Sequence, residues 1–529
     1  MLRPVNRNVK SRDYILPAPI GGLNRRDSLA AMPPQYAIVM DNYIPMDNKI
    51  ILRSGYNSYV NLGTFVFGTE GQSAKTGVRT LVSYKKPNDN RLIALYNRKA
   101  YNISSPASIK EYAVEFSSIR CQTVQYKNYL YFMNGLDTPK VFYIDDSDVE
   151  HFEDWGFTSE SLQPARIIAG SVSKEFLWFV EKNTLKAWYS ATAGSISGEL
   201  KAFDLSQISK SGGELVAIAN WTIDGGQGID DLTAFITSEG EVLVYSGSNP
   251  NDANNWALKG SYKMSKPIGY QCVLPYQGDI VIISEDGYIP LSKALAVSNT
   301  GQSNIAFSDL IRGLVLDRTA NNKDKEGWQG IIYSKKGYGI FNVPVSQQFE
   351  QHVVNVNTGA WCRFTNIRSL CWCEFNGDMY FGSDDSVFKF GDAYSDNGVQ
   401  IEGRIEQAYT NLGTDQLKKI QLLNPRTKSS TSYQLTIYTN IDFEELEKEY
   451  YSNIGTIGQT KWNSAKWSSS ANPIGTKWST LKTTKIRSQW IANSATGFKV
   501  SIVFKTKTKG NVIEWYDTGI RYEIGTGIM

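Results

Sequence analysis

Between about residue 78 and residue 392 one pattern keeps returning: two short strands of alternating apolar and polar residues, a polar or glycine turn between them, then a longer irregular link. It reads RLIALYNRKAYNI at 91–103, NYLYFMNGLDTPKVFYI at 128–144, EFLWFVEKNTLKAWYS at 175–190, DLTAFITSEGEVLVYS at 231–246 and GDIVIISEDGYIPLS at 278–292. GYGIFNVPV (337–345) with HVVNVNTGAWCRF (352–364) follows, and then GDMYFGSDDSVFKF (377–390). Period-2 alternation broken by turn residues is a hairpin signal. Glu239-Gly240 and Asp286-Gly287 stand where a tight hairpin turn demands positive φ. Matching central residues (Leu130, Trp178, Ala234, Val281, Gly339, Tyr380) recur 41 to 58 positions apart. Repeats of that length with varied links are what four-stranded propeller blades produce. The expected fold is therefore all-β, an irregular β-propeller of six or seven blades over residues 61–398. No blade motif is shared between the repeats, so a pair of stacked sandwiches is the alternative.

After Gly398 the texture changes. Strand-like runs VQIEGRIEQAYTNLG, LKKIQLLNPR and SYQLTIYTNIDF precede a Ser/Thr/Lys/Trp-rich segment at 454–485, and GFKVSIVFKTK and NVIEWYDTGIRYEIG close the chain. This predicts a C-terminal all-β domain, β-sandwich-like, over 399–529, too rich in aromatic residues to be a disordered tail. Residues 1–60 are read as an N-terminal arm that closes the propeller or ring. A chain of 529 residues is long enough to bury more than one core.

Composition narrows the function classes. No apolar stretch approaches the roughly 20 residues that cross a bilayer as a helix. The opening MLRPVNRNVKSRDY is followed by no apolar run of a secretory signal, so synthesis in the cytoplasm is expected. Five cysteines, at 121, 272, 362, 371 and 373, are odd in number and unevenly spread, which argues for thiols and against a disulfide framework. A net charge of +3 from 55 basic and 52 acidic residues gives no global drive toward nucleic acid.

Each candidate for chemistry has a plainer reading. Cys362, Cys371 and Cys373 offer three thiolates, but a structural zinc site wants four ligands, and His151 and His352 lack metal-binding spacing. On a strand, Cys371 and Cys373 share one face while Trp372 points to the other, which reads as blade core. Asp384-Asp385 lies between two strand-like runs and reads as a turn, since a carboxylate pair works as acid and base only where its surroundings split the two pKa values. GTEGQSAKTG (68–77) lacks the glycine directly before Lys-Thr that a phosphate loop needs. DDSDVEHFED (145–154) lacks the EF-hand glycine. There is no HExxH, no GxSxG and no sialidase-type box, SEDGYIPL at 284–291 being the nearest approach. The expected sets of catalytic residues, metal ligands and cofactors are empty, although a propeller glycosidase can work with carboxylates and Tyr alone. The most unusual local feature is Lys461-Trp462, Lys466-Trp467 and Lys477-Trp478. Trp462, Trp467 and Trp478 are read as contacts to a partner or a neighbouring subunit, with stacking on sugars or bases as the alternative.

The stretch PAPIGGLNRRDSLAAMPPQYAIVMDNYIPMDNKIILRSGY (17–56) resembles the opening of a family of virion proteins of short-tailed bacteriophages, where Gly-Gly-Leu-Asn, Met-Pro-Pro, Asp-Asn-Tyr/Trp and Arg-x-Gly-Tyr occur in this order. The stretch from Val354 to Gly398, the spaced Trp462, Trp467 and Trp478, and the ending WYDTGIRYEIGTG are also similar to that family. The resemblance implies a tail nozzle, or tail tube B-type, propeller protein of the virion tail. It implies no enzyme activity and a homo-oligomeric ring, expected as a hexamer. The ring sits below the portal and adaptor rings, meets tail fibres or a tail needle, and lets double-stranded DNA pass through its lumen without sequence-specific binding. A related packaged-DNA stabilisation role belongs to the same resemblance. The blades drift more in length than the family's, and the chain is shorter than many nozzle proteins. A carbohydrate-binding or glycan-cleaving virion propeller is the alternative function. If Cys371 and Cys373 are blade core, a thiol reagent labels neither in the folded protein and zinc is absent from the purified chain; rapid labelling or stoichiometric zinc would overturn that reading.

Overall fold

The computed structural model describes residues 11–63, 77–87, 89–224, 229–276, 278–297, 306–346, 348–429, 433–444, 451–454 and 485–525. The fold is all-β, and the described residues include only short helices, of which Leu291–Val297 and Arg312–Asn322 are the α-helices. The chain divides into two compact units. One comprises Met1–Asn57, Val353–Thr365 and Gly391–Met529, and the other Ser58–His352 and Asn366–Phe390. Neither unit is one continuous stretch of sequence. Where the sequence reading placed boundaries at 60 and 398, the N-terminal segment and an internal excursion fold together with the C-terminal strands.

The larger unit is a series of small sheets in chain order. Thr80–Tyr84, Arg91–Tyr96, Lys99–Asn102 and Lys110–Glu115 form the first, as an antiparallel meander. Gln122–Tyr126, Tyr129–Met133, Lys140–Ile144 and Glu150–Asp154 form the second. The third runs from Ile167–Ser173 to Gly198–Asp204, with Phe157–Thr158 added in parallel at its outer edge. Leu215–Asp224 to Trp256–Lys263 is the fourth, and Val273–Tyr276 to Gly287–Pro290 is a three-stranded fifth. Gln329–Tyr333 and Tyr338–Val345 begin the sixth. Cys371–Phe375, Asp378–Gly382 and Ser386–Ala393 make the seventh, whose fourth strand is Gly55–Asn61 from far upstream. The Glu239-Gly240 turn has the expected geometry, with Gly240 at φ 77°.

The leading strands pack in a circuit. Thr80–Tyr84 lies against Gln122–Tyr126, which lies against Ile167–Ser173, and that against Leu215–Asp224. Leu215–Asp224 meets Asp279–Ser284 of the fifth sheet, and Val273–Tyr276 meets Gln329–Tyr333. Gln329–Tyr333 packs on Cys371–Phe375, and Cys371–Phe375 packs on Thr80–Tyr84, where the circuit began. The apolar cores lie between successive sheets. Leu81, Leu92, Tyr96 and Tyr101 of the first sheet bury against Cys371, Cys373, Phe375 and Val387 of the seventh. Ile93 and Leu95 bury against Leu130 and Phe142 of the second, and Trp178 and Tyr189 of the third against Phe235 and Trp256 of the fourth. A sheet so placed is covered on both faces, which is why Phe176–Glu181 is buried at every position and does not alternate.

Two elements add to the sequence reading. The Trp361–Phe364 strand follows Gln348–Asn355 in the sheet begun by Gln329–Tyr333 and Tyr338–Val345, as expected, and it also pairs in parallel with Gly22 and Asp41. The helix Arg312–Asn322 carries Leu314, Val315, Thr319 and Asn322 on its buried side, a helical spacing too polar to stand out in an alternating sequence.

In the smaller unit one sheet has Lys418–Ser429 and Ile513–Ile524 at its centre, with Ser11–Pro17 pairing along the latter. The other includes Tyr36–Asp41, Ile401–Gln407, Val500–Thr508 and Tyr433–Ile441 as antiparallel neighbours. Phe504 of the second sheet stacks on Trp515 of the first at 4.5 Å between centroids.

Local polar anchors hold the links of the larger unit. Glu241, buried at the start of a fourth-sheet strand, accepts hydrogen bonds from Ser261 Oγ (2.6 Å), Ser209 Oγ (2.7 Å), Ser211 N (2.9 Å) and Lys210 N (3.0 Å). Burial by itself would raise this carboxyl, but the four donors outweigh it and hold it down at about 2, against an ordinary 4.5. A depressed carboxyl contributes stability that is complete above its unfolded pKa and is lost as the pH falls toward the folded one. Glu241→Gln is expected to destabilise the protein by about 2 kcal/mol at pH 7, with the difference from the parent closing between pH of about 4.5 and about 2. Denaturant unfolding across that range measures it.

Candidate functional site

The residues that carry the short motifs at 17–56 come together in the smaller unit, around one arginine. Arg53 is 2% exposed. Its Nη1 and Nη2 donate to Asp396 Oδ1 and Oδ2 at 2.8 and 2.7 Å. Its Nε donates to Asn42 Oδ1 at 2.8 Å, and the remaining N–H groups reach Ser54 O and Thr365 O at 3.1 and 3.2 Å. All five guanidinium donors are thus used, in the fork geometry that matches a carboxylate. Asn42 sits at φ 60°, a conformation in which Asn is one of the better-tolerated side chains. Its amide nitrogen donates to Thr365 Oγ1 and Glu402 O, and its amide oxygen also accepts from Thr365 N. Next to it, Arg363 forms a two-point ion pair with Asp41 at 2.7 and 2.9 Å.

Gly22 shows why a glycine stands in the Gly-Gly-Leu-Asn run. It adopts φ 83°, and a Cβ there would lie 2.6 Å from Trp361 O. Trp361 itself is buried and follows the Thr358-Gly359-Ala360 turn, as the sequence suggested. Gln407 donates to Pro17 O and Pro34 O, both at 2.8 Å, tying the Met-Pro-Pro loop to the same sheet. Tyr43 donates to or accepts from Thr506 at 2.6 Å and meets Phe504 edge-on. The constellation is a packed junction with no open face at Arg53.

The other candidates are likewise employed in holding structure. All five cysteines are free and buried. Cys371 and Cys373 lie in one apolar cluster while Trp372 packs on Phe381 and Phe390, the two-faced arrangement that period 2 demands. Burial pushes both thiols up to about 12. Asp384 and Asp385 occupy a turn, but separate partners engage them. Arg368 grips Asp384 at 2.7 and 2.8 Å, and the Tyr96 hydroxyl donates to Asp385 at 2.8 Å. In the acidic run, Asp145 faces His151 at 2.9 Å, and Glu150 accepts from Arg91, Lys110, Tyr112 and Asn102. Among the described residues no group of three or more His, Cys, Asp or Glu is placed to hold a metal ion. Residues 64–76, with most of the glycine-rich run, and Trp462, Trp467 and Trp478 lie outside the described residues.

One buried polar chain escaped the sequence reading. Tyr288 Oη lies 2.7 Å from His352 Nδ1, His352 Nε2 lies 3.1 Å from Glu350 Oε1, and Arg318 Nε donates to that oxygen at 2.6 Å. Tyr288 and His352 are fully buried, and Tyr288 stacks on Phe341 at 3.9 Å, so that end of the chain is sealed within the core while Arg318 reaches the surface. The alternation VVNVN around His352 marked a strand but not which polar side chains from three elements meet there.

The leading strands of all seven sheets also line one cavity of about 450 Å³ in the larger unit. Its wall is neutral and small-sided where Thr80, Thr123, Gly170, Ser171 and Asn220 face it, and among the described residues its only charged lining residue is Arg79. No protein-family profile matches the chain, and no curated protein sequence matches it. Among the described residues no helix is long and apolar enough to cross a membrane.

Removing one partner of a fully desolvated pair strands the other charge. Arg53→Met and Asp396→Asn are each expected to lower unfolding stability by about 3–5 kcal/mol. The double variant Arg53→Met with Asp396→Asn should lose less than the sum, which a double-mutant cycle by chemical denaturation reads directly.

Proposed function

We propose that the chain is a structural, non-enzymatic virion protein of a short-tailed phage. It forms the tail nozzle as a homo-oligomeric ring, with six copies, below the portal and adaptor rings. In this reading the larger unit is a seven-bladed irregular β-propeller, closed by Gly55–Asn61 as the outer strand of the last blade, and the smaller unit is the sandwich that builds the ring. The ring retains the genome and then conducts it on ejection, and its far end takes tail fibres or a needle.

The observation that carries the reading is where the resembling residues fall. Asp41, Asn42, Arg53, Trp361 and Arg363 come from two distant stretches that the resemblance singles out, and they converge on a single buried junction of the smaller unit. Spending these residues on architecture suits a ring component, which needs self-complementary surfaces and no reactive group.

Exposed large apolar side chains support the same assignment. Among the described residues the smaller unit displays Ile15, Val399 (66% exposed), Ile486 (63%), Trp490 and Phe498. Apolar and aromatic groups left in solvent on a well-packed unit mark an interaction surface. Near-balanced charge is compatible with a lumen that does not hold DNA, because each neutralised phosphate adds to electrostatic retention.

Mass photometry of the purified protein, followed by negative-stain imaging, tests the proposal. The expected result is a closed ring that forms or tightens when the adaptor protein is added. Trp490→Glu with Ile486→Glu should shift the population to monomers without lowering the unfolding midpoint of the monomer. A stable monomer indifferent to the adaptor, with saturable glycan binding, would overturn the nozzle reading.

A further inference from the structure

Two arginines beside the axial cavity of the larger unit compete for one carboxylate. Arg79 immediately precedes the leading strand of the first sheet and lines the cavity. Arg120 stands just before the leading strand of the second, and its neighbour Cys121 lines the same space. Arg79 Nη1 donates to Glu326 Oε2 at 2.7 Å, while Arg120 Nε is 3.7 Å from that same oxygen. Arg120 Nη2 is taken by Leu370 O at 3.2 Å. These four residues belong to the lead-ins of four successive sheets: Glu326 the sixth, Leu370 the seventh, Arg79 the first and Arg120 the second. They converge because the circuit of leading strands brings those lead-ins together.

The balance of donors and charge is incomplete. The Nε atoms of both Arg79 and Arg120 are buried and lack an acceptor among the described residues. A buried guanidinium N–H without a partner costs free energy, and one Glu326 carboxylate against two guanidiniums leaves a net positive charge. Burial pushes Arg120 below the usual guanidinium range, Glu326 offsets this in part, and the charge of Arg79 adds to the depression. Among the described residues no carboxylate lines the cavity to supply the missing negative charge.

We propose that a compact oxyanion, inorganic phosphate or a small carboxylate, binds between Arg79 and Arg120 at the rim of this cavity, beside the half-exposed Glu326 carboxylate that now bridges them. A planar or tetrahedral oxyanion offers acceptors in the geometry that guanidinium N–H groups favour. Thr80 and Gln122, close in sequence to the two arginines, line the adjoining cavity, and chloride, lacking several acceptor atoms, fits the two forks less well. Occupancy would neutralise the excess charge at the point where the first and last sheets meet, and so clamp the circuit at its closure.

Calorimetric titration of inorganic phosphate into the full chain, at constant ionic strength set with sodium chloride, tests this. The expected result is saturable binding of one phosphate per chain, with a rise in the thermal unfolding midpoint and displacement by acetate. Arg120→Gln and Arg79→Gln should each weaken binding by about tenfold or more. Glu326→Gln, which removes the competing carboxylate, should tighten it by about threefold. If Arg120→Gln does not fold, Glu326→Gln and Arg79→Gln decide the matter. A phosphate effect no larger than that of chloride, or a Glu326→Gln variant that binds no tighter than the parent, would overturn the proposal.

Discussion

The smaller unit depends on one desolvated ion pair. Arg53 and Asp396 are 343 positions apart, and no local preference brings them together. Placing either charge in a low-dielectric interior alone is prohibitive; placing both there is tolerable because every guanidinium N–H has an acceptor. Asn42 then carries the effect outward. Its side chain joins Arg53, Thr365 and the Glu402 carbonyl, so the strands at 36–41, 361–364 and 401–407 are fixed in one register. Arg363 with Asp41 repeats the device one step along the strand, partly exposed and correspondingly weaker.

The larger unit is held differently. Most of its sheets have three to five strands, and neighbouring sheets share their apolar cores. Leu81 and Cys371, Leu95 and Leu130, Trp178 and Phe235 are partners across the gap between one sheet and the next. Stability in such an arrangement comes from neighbour interfaces, so loss of one sheet exposes two cores. The closure matters most, since Cys371–Phe375 must reach Thr80–Tyr84 after nearly the whole unit has been threaded. A strand from residues 55–61 completes the last sheet, joining early and late parts of the chain at that same place. The proposed anion would sit beside this closure.

Much of the fold was legible because hairpins are local. The paired runs at 91–103, 128–144, 175–190 and 231–246 all appear as adjacent antiparallel strands. Cys371-Trp372-Cys373 divides between two faces as period 2 required, and the Asp384-Asp385 turn falls where the strand-like runs leave room for it. The strands expected over 337–345 and 352–364 appear as Tyr338–Val345, Gln348–Asn355 and Trp361–Phe364, side by side in one sheet, whereas the parallel pairing of Trp361–Phe364 with Gly22 and Asp41 was not expected. Alternation reports that a residue is on a strand, and it cannot report which sheet the strand enters. The Arg53 junction, the polar chain from Tyr288 to Arg318 and the shared Glu326 were invisible for the same reason, since each needs groups from three or four distant segments.

The sequence by itself determined the all-β character, the hairpins, the turn positions and the burial of the cysteine pair, because these follow from side-chain periodicity and backbone sterics over a few residues. Only the tertiary structure decided the partition into two interleaved units, the circuit of leading strands and the partners of Arg53, Glu241 and Arg120. Those outcomes rest on desolvated charges and inter-sheet packing, whose free energy exists only once residues hundreds of positions apart are brought into contact.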